Sequence, residues 1–88
     1  MPAANQLRSI FDFIATDNPA AAAHTVQRIR QSILRVARMP YAGRTGRVAG
    51  TREISVARTP YLVAYRIVES SIHVLAILHG AQDWPQSF

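Results

Sequence analysis

The feature that most constrains the fold is a series of three short strand-like segments that follow one another closely in the second half of the chain. The segments are Thr51–Ala57, Tyr61–Val68 and Ser71–His79, and each is rich in β-branched and aromatic residues. Thr59–Pro60 separates the first two segments, and the polar pair Glu69–Ser70 separates the last two. Connections this short cannot hold the crossover that parallel strands require. The sequence therefore predicts an antiparallel three-stranded meander.

The last two predicted strands are apolar at both alternating positions, unlike strands of a sheet with one face in water. Tyr61–Ala64 and Val74–Leu78 are unbroken apolar runs. Such runs indicate that both faces of the sheet are at least partly covered. One face is expected to pack against the rest of the domain. The other is where we expect the functional surface.

The first half of the chain predicts two helices joined by a short turn. One helix spans about 3–15 and the second runs from Pro19 to about Arg38, each with apolar residues at three- and four-residue spacing. Asn18 is a suitable N-cap for the second helix, and Met39–Pro40 ends it, because the residue before proline avoids the helical region. Helices joined so closely form an antiparallel hairpin. The expected architecture is α-α-β-β-β in one domain over residues 1–88, an α+β fold with the hairpin packed on a small antiparallel sheet.

Two segments lie outside these predicted elements. Tyr41–Gly50 holds three of the four glycines and two arginines, so it predicts a turn-rich connector without a strand. Gly80–Phe88 is a short tail that contains two large aromatic residues. We expect Trp84 and Phe88 either to pack on the helices or to remain exposed as anchors for a partner.

Composition narrows the classes of function. The absence of cysteine excludes disulfides, thiolate zinc sites and thiol nucleophiles. His24 and His73 have no partner at metal-ligand spacing, so neither a metal nor another cofactor is expected. All ten basic residues are arginine, and the net charge of +5 suits an acidic protein, RNA or DNA. No signal peptide and no run of ~20 apolar residues is visible, so we expect a cytoplasmic protein without a membrane partner.

Four segments together resemble the ParE/RelE superfamily, the toxins of type II toxin–antitoxin systems. They are Asp17–Ala21 (DNPAA), Pro40–Glu53 (PYAGRTGRVAGTRE), Tyr61–Ile67 (YLVAYRI) and Val74–Pro85 (VLAILHGAQDWP). The resemblance implies a small basic toxin that is neutralised by an acidic antitoxin, whose C-terminal segment wraps around it. It also implies that the complex represses its own operon, with operator DNA bound only through the antitoxin.

The chain departs from the superfamily pattern at its start. Members normally begin with a β-strand just before the segment that here reads Pro2-Ala3-Ala4. Either the start site is placed too late or the strand is absent. In the second case the sheet has an additional unpaired edge, and an antitoxin or a second copy of the chain is expected to supply the strand.

The superfamily contains two functional classes, and RelE-like members cleave mRNA on the ribosome. That reaction needs an acid, a base and cations around the phosphate. If the chain is RelE-like, its candidate catalytic residues are His79, Arg66, Glu53 and Arg58. The ordinary structural alternatives are a capping histidine at the strand end for His79, and an ion pair with Arg52 or Arg58 for Glu53.

The H-G-A-x-x-W-P ending favours the other class, ParE-like proteins that bind and inhibit DNA gyrase. Leu62 also stands where ribosome-dependent relatives carry an arginine. We therefore expect a binding toxin rather than an enzyme, and a degenerate member that only binds antitoxin is a further alternative. The antitoxin is expected in the outer groove formed by the helical hairpin and the open sheet edge, against Arg28, Arg35 and Arg38. The residues expected to contact the target are Arg52, Trp84 and Phe88.

Overall fold

The computed structural model describes residues 2–81 and 83–88, with side-chain detail from residue 5 onward. Two helices are followed by a single 3₁₀ turn and four strands. In chain order they are α1 (Pro2–Ala15), α2 (Pro19–Arg38), the 3₁₀ turn (Pro40–Ala42), β1 (Arg44–Thr45), β2 (Arg52–Ser55), β3 (Tyr61–Val68) and β4 (Ser71–His79). The α+β prediction with a helical hairpin on an antiparallel sheet is confirmed.

The helix boundaries follow from local chemistry. Asn18 has extended backbone angles, and its side-chain oxygen accepts a hydrogen bond from the Ala21 N–H at 3.1 Å, which caps α2 as predicted. At the other end Met39 leaves the helical region, and its N–H donates to the Arg35 carbonyl at 2.9 Å. No helix in the described part of the chain is both long and apolar enough to cross a membrane.

The sheet is an antiparallel meander with strand order β1-β2-β3-β4. The predicted bounds of β3 and β4 are confirmed, while β2 is shorter than the predicted Thr51–Ala57. The prediction that the connector holds no strand is wrong at two residues, because β1 pairs with β2 through Arg44↔Glu53 and Thr45↔Arg52. Pairing of this kind depends on a partner elsewhere in the chain, so the Gly-rich local sequence does not reveal it.

The register assigns each side chain to one face of the sheet. Ile54, Val63 and Ile77 form one row, and they pack with Ile29 and Val36 of α2 in the main core. This is the helix-covered face. Successive residues of a strand point to opposite faces, so the neighbouring row belongs to the other side, here called the outer face. That row comprises Glu53, Ala64 and Ala76.

The free edge of β4 lies beside α1. Leu75 is an extra residue in β4, since Ala64 pairs with Ala76 while Tyr65 pairs with Val74. The Ile77 N–H donates to the side-chain oxygen of Gln6 at 2.8 Å. A side chain of α1 therefore occupies one hydrogen-bonding position along this edge.

Candidate functional site

A buried carboxylate organises the outer face. Glu53 is only 1% exposed, and its Oε1 accepts a hydrogen bond from Arg44 Nη2 at 3.1 Å. Its Oε2 accepts the backbone N–H of Arg47 at 2.7 Å and lies 3.8 Å from Arg47 Nε. We call these three residues, together with Trp84, the Glu53 cluster. Charge-assisted bonds of this length satisfy the buried charge.

The sequence correctly predicted an ion pair for Glu53, but the expected partners, Arg52 or Arg58, are wrong. Arg52 directly precedes Glu53 in β2, so its side chain lies on the opposite face of the sheet from Glu53. Arg58 lies beyond the end of β2. The pairing of β1 instead places Arg44 directly opposite Glu53. The missed signal is the pair of arginines in the Gly-rich connector.

One aromatic side chain of the tail covers part of the outer face. Trp84 packs against the small floor formed by Ala64, Ala76 and Leu78. The guanidinium carbon of Arg47 lies 4.0 Å from the centroid of the indole, a cation–π contact. The indole Nε1 is buried and has no hydrogen-bond partner within the described residues. The expectation that Trp84 packs on the helices or stays exposed is therefore wrong, because it covers the opposite face of the sheet.

Two of the three residues predicted to contact the target lie on opposite faces of the sheet. Arg52 lies in the row of Tyr65, donates to the Gly43 carbonyl at 2.6 Å, and places its guanidinium carbon 4.7 Å from the Tyr41 ring centroid. Trp84 lies on the outer face, and Phe88 in the tail is 42% exposed. Arg52 and Trp84 thus belong to two different surfaces.

Tyr65 anchors the connector that carries Arg44 and Arg47. Its side chain is fully buried, and its hydroxyl donates to the Pro40 carbonyl at 2.6 Å while accepting the Gly43 N–H at 2.9 Å. A Cβ added to Gly43 would collide with that hydroxyl. The sequence analysis did not predict this bridge. The available signal was that a buried tyrosine normally needs a polar partner.

The candidate nuclease residues are not brought together. His79 pairs in register with Tyr61 and Arg66 pairs with His73, so they lie five positions apart along β3, about 17 Å. The His79 ring meets the Tyr61 ring edge-on at 5.5 Å on the helix-covered side, whereas Arg66 lies on the outer face. The Ala81 N–H donates to His79 Nδ1 at 3.0 Å, which confirms the capping interpretation.

The other two candidates, Glu53 and Arg58, do not bridge the separation of that pair. Both carboxylate oxygens of Glu53 are occupied by arginines of the connector. Arg58 lies in the β2–β3 turn, where it lines a depression against α2. Within the part of the chain that the structure describes, these four residues therefore do not converge on one point at which a phosphate could meet an acid, a base and cations.

The three arginines predicted to bind antitoxin lie on α2, away from its buried stripe. Arg35 and Arg38 are exposed and Arg28 is half-buried. Arg28 and Arg35 line the depression that contains Arg58, and Arg35 and Arg38 line a second depression with Leu34 and Met39. A larger groove of about 880 Å³ runs between α1 and α2, past Leu7, Phe11 and Arg30.

Comparison with known proteins adds independent information. The family model described as the ParE toxin of type II toxin–antitoxin system, parDE, matches residues 1–84. A protein named "Putative toxin Y4kP" from Sinorhizobium fredii (strain NBRC 101917 / NGR234) is 39% identical over 84 residues, which cover 96% of this chain and 86% of the relative. A solved structure described as the chromosomal ParDE TA system from P. aeruginosa has a TM-score of 0.77 and 27% identity. That match covers 89% of this chain and 87% of the other.

Proposed function

Because the chain belongs to the ParE family of toxins of type II toxin–antitoxin systems, we propose that it binds and inhibits DNA gyrase and that a cognate acidic antitoxin neutralises it. The gyrase target follows from the ParE-like ending of the chain. The antitoxin follows from the family together with the net charge of +5.

The observation that supports action by binding is the dispersal of the groups that RNA cleavage would need. His79 and Arg66 lie about 17 Å apart along β3 and on different faces of the sheet. Glu53 is buried and both of its oxygens are already bonded to the connector, so a substrate cannot reach it. General acid–base catalysis requires its groups within hydrogen-bonding reach of one substrate. A binding toxin has no such requirement.

Antitoxin binding fits the surface of the helical hairpin. Away from the groove between α1 and α2, the second helix carries the exposed or half-exposed side chains of Arg28, Arg35 and Arg38. Carboxylates of the antitoxin would meet these arginines, and operator DNA would be bound through the antitoxin. The expected compartment is the cytoplasm, where gyrase acts.

The deciding experiment expresses the chain without antitoxin and scores growth, DNA breakage and mRNA integrity in the same culture. Arrest with filamentation and DNA breaks is expected, together with loss of supercoiling by purified gyrase when the purified chain is added. Arrest with cut transcripts and active gyrase would move the assignment to the RNA-cleaving class. Normal growth would indicate a degenerate member that retains only antitoxin binding.

The tail is the proposed contact with the target. A chain that ends at residue 83 loses Trp84 and Phe88, and its toxicity should fall. Phe88→Ala serves as the milder companion variant, because it leaves Trp84 seated on the outer face. Full growth arrest by the truncated chain at matched expression would remove the tail from the target surface.

A further inference from the structure

The face of α2 that points away from the core meets the turn between β2 and β3 at a cluster of positive charge. Arg28 and Arg35 lie seven residues apart on α2, and Arg58 approaches them from the turn. They enclose a depression of about 340 Å³, here called the arginine depression, whose other lining residues are Gln31, Ser32 and Ala57.

No carboxylate within the described residues neutralises this cluster. The ion pairs found in residues 5–81 and 83–88 all involve Glu53, on the outer face of the sheet. Arg28, Arg35 and Arg58 each contribute a positively charged guanidinium group. Three cations gathered without a counter-ion repel one another, so the arrangement favours an anionic occupant.

Arg58 occupies a strained position in the turn between β2 and β3. Its φ of 62° is in the left-handed region, where glycine and asparagine are the usual residues. A glycine would relieve that strain but would remove the cation. The turn therefore presents a cation at a position that glycine would occupy with less strain.

An apolar patch continues the same helix surface toward its C-terminal end. Leu34 and Met39 are 59% and 60% exposed, and they line a second depression of about 340 Å³ with Arg35 and Arg38. A nucleic-acid backbone would cover the arginines and leave these large apolar side chains in water. An amphipathic protein segment covers both, since apolar anchors beside charged contacts are typical of protein interfaces.

We infer that the arginine depression binds two carboxylates of an acidic amphipathic helix in the antitoxin, with the apolar residues of that helix seated on Leu34 and Met39. This inference rests on the proposed function, because the antitoxin is its occupant. Arg58, first considered as a catalytic candidate, becomes a residue that determines partner specificity.

The spacing of the arginines selects a helix over an extended strand. Arg28 and Arg35 are separated by about 10.5 Å along α2. A helix lying beside α2 presents two acidic residues at the same separation when they are seven positions apart, on one face. An extended strand covers that distance in about three residues, which places their side chains on opposite faces.

The test measures the affinity of purified cognate antitoxin for the full chain and for Arg28→Gln, Arg35→Gln and Arg58→Gln. Each substitution should weaken binding about tenfold by removing a charge pair. Arg30→Gln is the matched control, because Arg30 is on the same helix but lines the groove between α1 and α2. It should change the affinity less than about twofold. Unchanged circular dichroism and melting temperature verify that each variant is folded.

A scan of the acidic residues of the antitoxin completes the test. The two most sensitive acidic residues should lie seven positions apart, whereas a spacing of two or four, which keeps both side chains on one face of a strand, would indicate a strand and overturn the inference. Loss of affinity in Arg30→Gln alone would place the antitoxin in the inter-helix groove and also overturn it. The inference would also be overturned if the three arginine variants kept their affinity for antitoxin but lost binding to a short DNA duplex. If the wild-type chain does not bind antitoxin at all, the proposed function fails first.

Discussion

The hydroxyl of Tyr65 holds the connector that carries Arg44 and Arg47. Removing this hydroxyl tests how much that attachment contributes to stability. Tyr65→Phe keeps the ring and its packing in the fully buried site. It deletes the donor to the Pro40 carbonyl and the acceptor for the Gly43 N–H. A buried polar group left without a partner costs about 1–3 kcal/mol.

The two orphaned groups differ in their access to water. Gly43 is buried, so we assign about 2 kcal/mol to its N–H, whereas Pro40 is half-exposed and its carbonyl receives about 1 kcal/mol. The sum is about 3 kcal/mol of unfolding free energy. At about 4–8 °C per kcal/mol for a domain of this size, the melting temperature should fall by roughly 12–24 °C.

Tyr61→Phe is the matched control in the same strand. Tyr61 packs on the same face of the sheet, but its hydroxyl makes no hydrogen bond to any residue that the structure describes. Its removal should cost less than about 0.5 kcal/mol. Thermal and urea denaturation followed by circular dichroism compare the two variants, and hydrogen exchange at the Gly43 amide reports the bridge directly. Equal losses in both variants, or unchanged exchange at Gly43, would refute the reasoning.

The remaining predictions concern three other positions. Glu53→Gln should destabilise the chain by about 2 kcal/mol in urea denaturation, mainly through the weakened bond from the Arg47 N–H, because the arginine side chains themselves are half-exposed and can be rehydrated. Ala64→Leu should displace the indole of Trp84 from its floor and shift its fluorescence, the emission of the only tryptophan, to longer wavelength. Arg58→Gly should raise stability by about 1 kcal/mol through relief of the left-handed backbone while weakening antitoxin binding.

Each of these has a control on the same chain. Glu69→Gln changes an exposed carboxylate and should leave the free energy of unfolding within about 0.5 kcal/mol. If Glu69→Gln lost as much stability as Glu53→Gln, the Glu53 cluster would not be a source of stability. Ala57→Leu adds the same volume at an exposed site and should leave the emission unchanged. Ser70→Gly relieves a similar backbone, at φ 69°, and should stabilise the chain without weakening antitoxin binding. If it weakens binding as much as Arg58→Gly does, the charge of Arg58 is not responsible.

The sequence by itself determined the elements that depend on near neighbours. The end of α2 follows from Met39–Pro40, its start from Asn18, and the bounds of β3 and β4 from β-branched runs between turns. Hydrogen bonds that join residues three or four positions apart depend on the local sequence, so a linear pattern is enough to locate them. The family resemblance likewise needed only the linear order of its segments.

Only the tertiary structure decided which side chains meet across the sheet. β3 and β4 are apolar at both parities, so their pattern could not assign Trp84 to the outer face or Tyr65 to the helix-covered face. The partners of Glu53 depend on a two-residue strand formed by non-local pairing. Arg58 reaches Arg28 and Arg35 because the β2–β3 turn lies against α2. A one-residue change in register reverses the face of every side chain in a strand, and only the packed core selects the register.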